Sequence, residues 1–188
     1  MQQAAAHFSE EGVRKLLVQV VRGLDHTQKY KLHHLALTPL HILVDAHGRV
    51  KISGLGFYQM LGKELFEAIV SAAVVPVKSG PKRFFISEME VMAPEIKKNK
   101  EGEFYSDIYS LAVTGYTLLT SHRPDPHHYI SVTEYQKGLS PSWDSVFTQC
   151  LQDNPNQRYT SLGELGRALE QLPLGEAAGQ PLASKKKE

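Results

Sequence analysis

The residues of this 188-residue chain best suited by type to chemistry lie between His33 and Gly56, in the stretch HHLALTPLHILVDAHGRVKISGLG. His33, His34 and His41 crowd one loop there, and His127-His128 form a second cluster among the nine histidines. Imidazole is a common metal ligand, but a tetrahedral site needs four donors, and no cysteine or carboxylate is placed to complete one. No functional metal is expected. Gly54-Leu55-Gly56 hints at a phosphate-cradling loop, yet it supplies two glycines, lacks the third and follows a strand-like run. Tyr105, Tyr109 and Tyr116 are spaced like packing residues on a helix rather than as exposed hydroxyl acceptors. The single cysteine, Cys150, excludes an internal disulfide framework and suits a reducing compartment.

Several elements must hold these residues. Ile42-Leu43-Val44 and Val50-Lys51-Ile52 flank the polar Asp45-Ala46-His47-Gly48 and read as a β-hairpin. Ser9 followed by Glu10 and Glu11 has the chemistry of a helix N-terminus, and Val13, Leu16, Leu17, Val20, Val21 and Leu24 recur on one helical face, which predicts an amphipathic helix from about residue 10 to 28. Leu65 to Val70 suits a short helix, and Ser79-Gly80-Pro81-Lys82 a loop. From Ser106 to Leu119 the sequence is apolar on nearly every face, as a helix in the middle of a domain would be. A short helix is expected near Ile130 to Lys137, another from Trp143 to Leu151, and a last one opened by the capping box Ser161-x-x-Glu164, with Leu162, Leu165, Leu169 and Leu172 inside. Beyond Pro173 the chain turns Gly-, Ala- and Lys-rich. The fold class is therefore mainly α with a small β-hairpin, in one domain over residues 1–172 with a disordered tail over 173–188.

Composition narrows the function. A hydrophobic content of 41% and a charged content of 22% are those of a globular domain. The net charge of +1 and the lack of a basic stripe argue against nucleic acid, since only Lys185-Lys186-Lys187 cluster. No apolar run is long enough to span a bilayer, and the first residues lack the basic and apolar regions of a signal peptide, so a cytoplasmic location is expected.

In order along the chain, these signals resemble the C-terminal lobe of eukaryotic-type Ser/Thr protein kinases. Gly23-Leu24 falls near the end of the helix that precedes that family's catalytic loop. His34, Leu37, Pro39 and Ile42-Leu43-Val44 fit the frame of H-R-D-L-x-x-x-N and its following strand, Met92-Ala93-Pro94-Glu95 carries the A-P-E signature, Ser106-Asp107-Ile108-Tyr109-Ser110-Leu111 the central helix, and Pro155 to Arg158 the P-x-x-R pattern. The resemblance spans roughly residues 9–172. It implies that the N-terminal lobe is absent, because no Gly-rich strand pair or V-A-I-K lysine precedes the first helix.

The same resemblance implies a pseudokinase. Ala36 stands in place of the catalytic-base Asp, His41 in place of the metal-binding Asn and Gly54 in place of the D-F-G Asp, with Leu35 for the Arg and Glu88 for a substrate-loop Thr. General-base assistance, worth roughly 10²–10⁴ in rate, and oxygen ligands for Mg²⁺ would both be missing. Neither an enzyme nor a cofactor is expected. The resemblance further assigns structural roles: a buried Glu95–Arg158 pair, Asp107 bracing the loop backbone, and His34, Leu43 and Leu55 as lower members of apolar columns that would run into a second lobe. An uncovered face near Leu43 and Leu55 would then serve an unidentified protein partner or self-association. The alternatives are a partial Ser/Thr kinase-like chain active only when completed by an N-lobe, and a truncated product without separate function.

Overall fold

The computed structural model describes residues 8–73, 87–125 and 127–175. Helix α1 (Glu10–Gln28) opens on Ser9, whose hydroxyl accepts the Gly12 N–H at 3.1 Å, and buries the expected stripe from Val13 to Leu24. Its neighbours are α6 (Phe104–Thr120) and, most extensively, α9 (Leu162–Gln171). Every residue of α6 from Ser106 to Thr120 is buried, so this helix is the axis of the core. Its threonine hydroxyls find carbonyls: Thr117 and Thr120 bond back into the helix, while Thr114 donates to Leu37 O at 2.6 Å.

The hairpin pairs β1 (Ile42–Val44) antiparallel with β2 (Val50–Ile52), Leu43 opposite Lys51. Gly48, at φ +74°, closes the turn, and Asp45 Oδ1 accepts the N–H groups of His47 and Arg49. Gln19 of α1 fastens β2 by behaving as one more strand. Its amide donates to Gly48 O at 3.0 Å and accepts Val50 N–H at 3.1 Å.

Past the hairpin the chain is more helical than its sequence suggests. In place of one short helix over 65–70 there are two, α2 (Phe57–Leu61) and α3 (Lys63–Ala73), parted by Gly62. Gly56 and Gly62 both take φ +73°, a conformation that costs glycine nothing, and buried Phe66 packs edge-on against Phe57 and Tyr58. The loop expected at Ser79–Lys82 and residues 176–188 of the tail expected to be disordered over 173–188 lie outside the described residues; residues 173–175 are described, with Leu174 packed against the core.

Short helices α4 (Glu88–Val91) and α5 (Pro94–Lys97) lead to α6, and α7 (Val132–Tyr135) and α8 (Ser142–Cys150) to α9. The cap of α9 departs from a reciprocal box. Ser161 Oγ accepts Glu164 N–H at 3.0 Å, but the Glu164 carboxylate reaches one residue further back, to Thr160 N–H and Oγ1–H, both at 2.7 Å. Glu10 is 4% exposed and accepts from Ser140 N–H, Trp143 Nε1–H and Gly175 N–H, tying the first helix to segments more than a hundred residues away. Among the described residues, no helix is long and apolar enough to cross a membrane.

Candidate functional site

The loop from His33 to Thr38 is buried throughout and is held by α6. Asp107 Oδ1 accepts Leu35 N–H at 2.6 Å and His34 N–H at 3.0 Å, and Thr114, two turns along the same helical face, takes Leu37 O. These anchors hold Leu35 at φ +66°, a left-handed conformation that costs a residue with a β-carbon roughly 1–2 kcal/mol. The Leu35 side chain, 1% exposed, lies in a notch floored by Gly102. A methyl at Gly102 would meet Ile96 Cδ1 at 2.4 Å and Leu35 Cδ2 at 2.7 Å, so those side-chain ends would have to shift to admit it. An apolar plug thus fills the position that a charged Arg occupies in the kinase pattern.

His34, His41 and Gly54 form one interlocked group. The His34 ring is buried, its Nε2–H donates to Ser53 O at 2.9 Å, and its Nδ1 has no partner among the described residues. His41 meets it edge-on at 4.6 Å between ring centroids. His41 Nδ1 accepts Thr38 N–H at 3.2 Å and lies 3.0 Å from Thr38 Oγ1. The imidazole therefore caps the turn Pro39–His41 as the N3 acid of a capping box would, and its Nε2 faces Glu88 Oε1 at 3.7 Å. Gly54 sits beneath the ring at φ +76°; a β-carbon there would come within 3.0 Å of His41 Cδ2.

Electrostatics keep this group neutral. Burial lowers the pKa of His41 despite the opposing pull of Glu88, and it lowers that of His34 to about 4, helped by neighbouring His41. Asp107 is pushed up to about 7 by burial, against the backbone N–H groups of Leu35 and His34, which favour the anion. His33 Nδ1 lies 3.8 Å from Asp107 Oδ2.

These positions do not fit a magnesium nucleotide. Ala36 is 1% exposed in the core, His41 spends its Nδ1 lone pair on Thr38, and Gly54 has no carboxylate, so none of the three offers the oxygen donor that a hard cation requires. Among the described residues, no group of three or more His, Cys, Asp or Glu side chains is arranged to hold a metal ion.

Glu95 and Arg158 come together in a two-pronged contact, Nη1 to Oε1 at 2.8 Å and Nη2 to Oε2 at 2.9 Å, with Glu95 6% and Arg158 2% exposed. Arg158 also donates to Tyr105 O and Gln152 O, and it lies 5.0 Å over the Tyr109 ring. Burial alone would raise the Glu95 pKa, but hydrogen bonds from Arg158 and Ser106 outweigh it and hold the carboxyl below its usual range. Leu43 is 55% exposed, whereas Leu55 is half-buried against the core, so only the former stands on the open face. Sequence reasoning missed Gln59, which clips α2 to the loop by accepting His33 N–H at 2.8 Å and donating to Lys31 O at 3.0 Å. It missed Gln19 for the same reason: each is a polar residue on a helix, Gln59 exposed and Gln19 half-buried, with nothing in the local pattern to mark it.

The chain resembles known proteins along most of its length. It is 25% identical over 179 residues to the serine/threonine-protein kinase PknA of Corynebacterium glutamicum, covering 90% of this chain and 35% of that protein. It is 28% identical over 179 residues to human beta-adrenergic receptor kinase 1, covering 88% of this chain and 24% of the relative. The chain thus spans about a third or less of the length of these curated relatives. Among solved structures, the kinase domain of Mycobacterium tuberculosis PknI superposes with a TM-score of 0.60 at 18% identity, over 86% of this chain and 55% of that one, a likeness of fold. The family model of the protein kinase domain matches residues 1–170, and with the clamped loop, the hairpin and the Glu95–Arg158 contact in their family order, the chain belongs to the protein kinase domain family.

Proposed function

We propose that this chain is a catalytically inactive, pseudokinase-type module, folded over residues 1–172, that works in the cytoplasm through protein contacts rather than phosphoryl transfer. The observation that carries the reading is the interlock of His41 with Gly54. The metal-ligand positions of the family pattern are filled by a ring that caps its own loop and by a glycine under that ring, and the base position is a buried methyl. Restoring one group does not restore a site, because phosphoryl transfer depends on positioning and on neutralising phosphate charge together. The contact surface is the open side of the hairpin, where Leu40, Leu43 and Val44 are each more than half exposed.

Thermal unfolding with ATP and Mg²⁺ tests this. A ligand at 100 times its dissociation constant stabilises by about 2.7 kcal/mol, so the expected result is an unchanged melting temperature at millimolar nucleotide. A clear rise, or transfer of labelled phosphate to protein, would overturn the reading. A second reading is favoured by the share of solved kinase domains that the chain spans, 55% in the case of PknI. In that reading it is a partial kinase-like chain that gains nucleotide binding only when another lobe covers the hairpin. The same titration repeated with a separately expressed N-terminal kinase lobe separates the two.

A further inference from the structure

The two edges of the hairpin differ. Ser53 N–H bonds His41 O at 2.9 Å and Asp45 N–H bonds Arg49 O at 3.0 Å, so residues 41, 43 and 45 face the partner strand and residues 42 and 44 face away. On β2 the outward edge is closed, since Gln19 takes both Gly48 O and Val50 N–H. On β1 the Ile42 N–H turns back to Pro39 O, but Val44 N–H, Val44 O and Ile42 O have no partner among the described residues. This edge also lacks the usual protections. Ile42-Leu43-Val44 contains no charge and no proline, and Leu43 and Val44 are more than half exposed beside exposed Leu40.

We propose that β1 is a docking edge for a second copy of this chain, pairing antiparallel with its own counterpart so that Leu43 lies opposite Leu43 of the partner subunit. This rests on the interaction-module reading above and names the partner of the same face. In that register Val44 N–H of each copy donates to Ile42 O of the other, which uses groups that have no partner among the described residues. Leu43 falls at the close, non-hydrogen-bonded position on the two-fold axis. Charges permit it. Asp45 falls opposite His41 of the other copy and is already paired with Arg49 at 2.7 Å, and the two Lys51 side chains are three strand spacings or about 14 Å apart, beyond the screening length at physiological salt.

The test combines association with cross-linking. Sedimentation should show a concentration-dependent dimer, and Val44→Pro, which removes the outward N–H at a position where an edge strand tolerates proline, should weaken it about tenfold while leaving the thermal melt intact. Under mild oxidation Leu43→Cys should cross-link rapidly, because cross-strand Cα atoms about 4.5 Å apart suit a disulfide, whereas Val44→Cys should not. Native Cys150 is 1% exposed and does not compete. A chain that stays monomeric at its highest soluble concentration, a Val44→Pro variant that associates like the parent, or Val44→Cys cross-linking as fast as Leu43→Cys would each overturn the strand pairing. Those outcomes leave the inactive-module reading to the nucleotide titration. Nucleotide binding would sink that reading while the cross-linking pattern still reports on the edge.

Discussion

Removing either side of the Glu95–Arg158 contact should damage the fold unequally. In Glu95→Ala the guanidinium keeps the Tyr105 and Gln152 carbonyls, so the cost should sit near the low end, about 3 kcal/mol, of what breaking a buried pair entails. In Arg158→Ala the carboxylate keeps the Ser106 hydroxyl but loses both prongs of the guanidinium, and two carbonyls lose their donor, so the cost should reach about 5 kcal/mol. The double variant removes the orphaned charge along with its partner and should cost about 5 kcal/mol, leaving a coupling of about 3 kcal/mol. Urea denaturation of the four proteins measures this directly. Since a domain has only about 5–15 kcal/mol to lose, the set should be run in a stabilising osmolyte, with Arg158→Lys as a milder variant that keeps the charge but loses the fork. The pH profile supplies an independent sign. The parent's Glu95 pKa is depressed, so its contribution is present above the unfolded carboxylate pKa and lost as pH falls through the lower folded value. Without Arg158, burial alone raises that pKa, and acidification should stabilise the variant relative to the parent. Additive single costs, or parallel pH profiles, would refute the shared buried contact.

Three further outcomes are expected. His34, lowered from 6.5 to about 4, contributes stability that is complete above pH 6.5 and lost as pH falls toward 4, about 3 kcal/mol in all; His34→Gln should flatten that slope, and an unchanged slope would contradict it. Gly102→Ala should lower stability by about 1–3 kcal/mol through overpacking against Ile96 and Leu35, read as a fall in melting temperature, with an unchanged melt counting against the notch. Gly54→Asp should cost about 1–2 kcal/mol from its backbone conformation alone, His41→Asn should recover the part due to the ring contact, and adding Ala36→Asp should still give no phosphoryl transfer from labelled ATP.

The parts of the fold governed by periodicity were legible in the sequence. The apolar stripe of α1, the all-round apolarity of α6 and the leucines of α9 each announce a helix and its buried face. The five residues of α2 lie between two glycines, too short a window for any period to register, and the side chain that packs against it, Phe66, comes from the next helix. The cap at Thr38 was hidden because Thr-Pro-Leu-His carries imidazole where the recognisable motif carries Glu or Gln. Glu10 looks like an acid placed for the helix dipole, yet its partners are Ser140, Trp143 and Gly175, which no local pattern connects to it. At the candidate site the missing acids could be read from their positions. That His41 and Gly54 interlock could not, since it depends on a left-handed glycine and on the tilt of a ring.

The packing of α1 on α9 sets a schedule for synthesis. The first described helix finds its most extensive neighbour in the last, with 133 residues between Gln28 and Leu162 still to be made. At about 5–20 residues per second the ribosome needs on the order of ten seconds to deliver α9. Throughout that interval Val21 of the nascent chain lacks Gly166 of α9, which will lie against it, and its stripe is an apolar helix face of the kind that chaperones hold. A ribosome stalled before Leu162 would leave that face open indefinitely, so arrested or prematurely terminated chains should be cleared as misfolded while chains one helix longer survive.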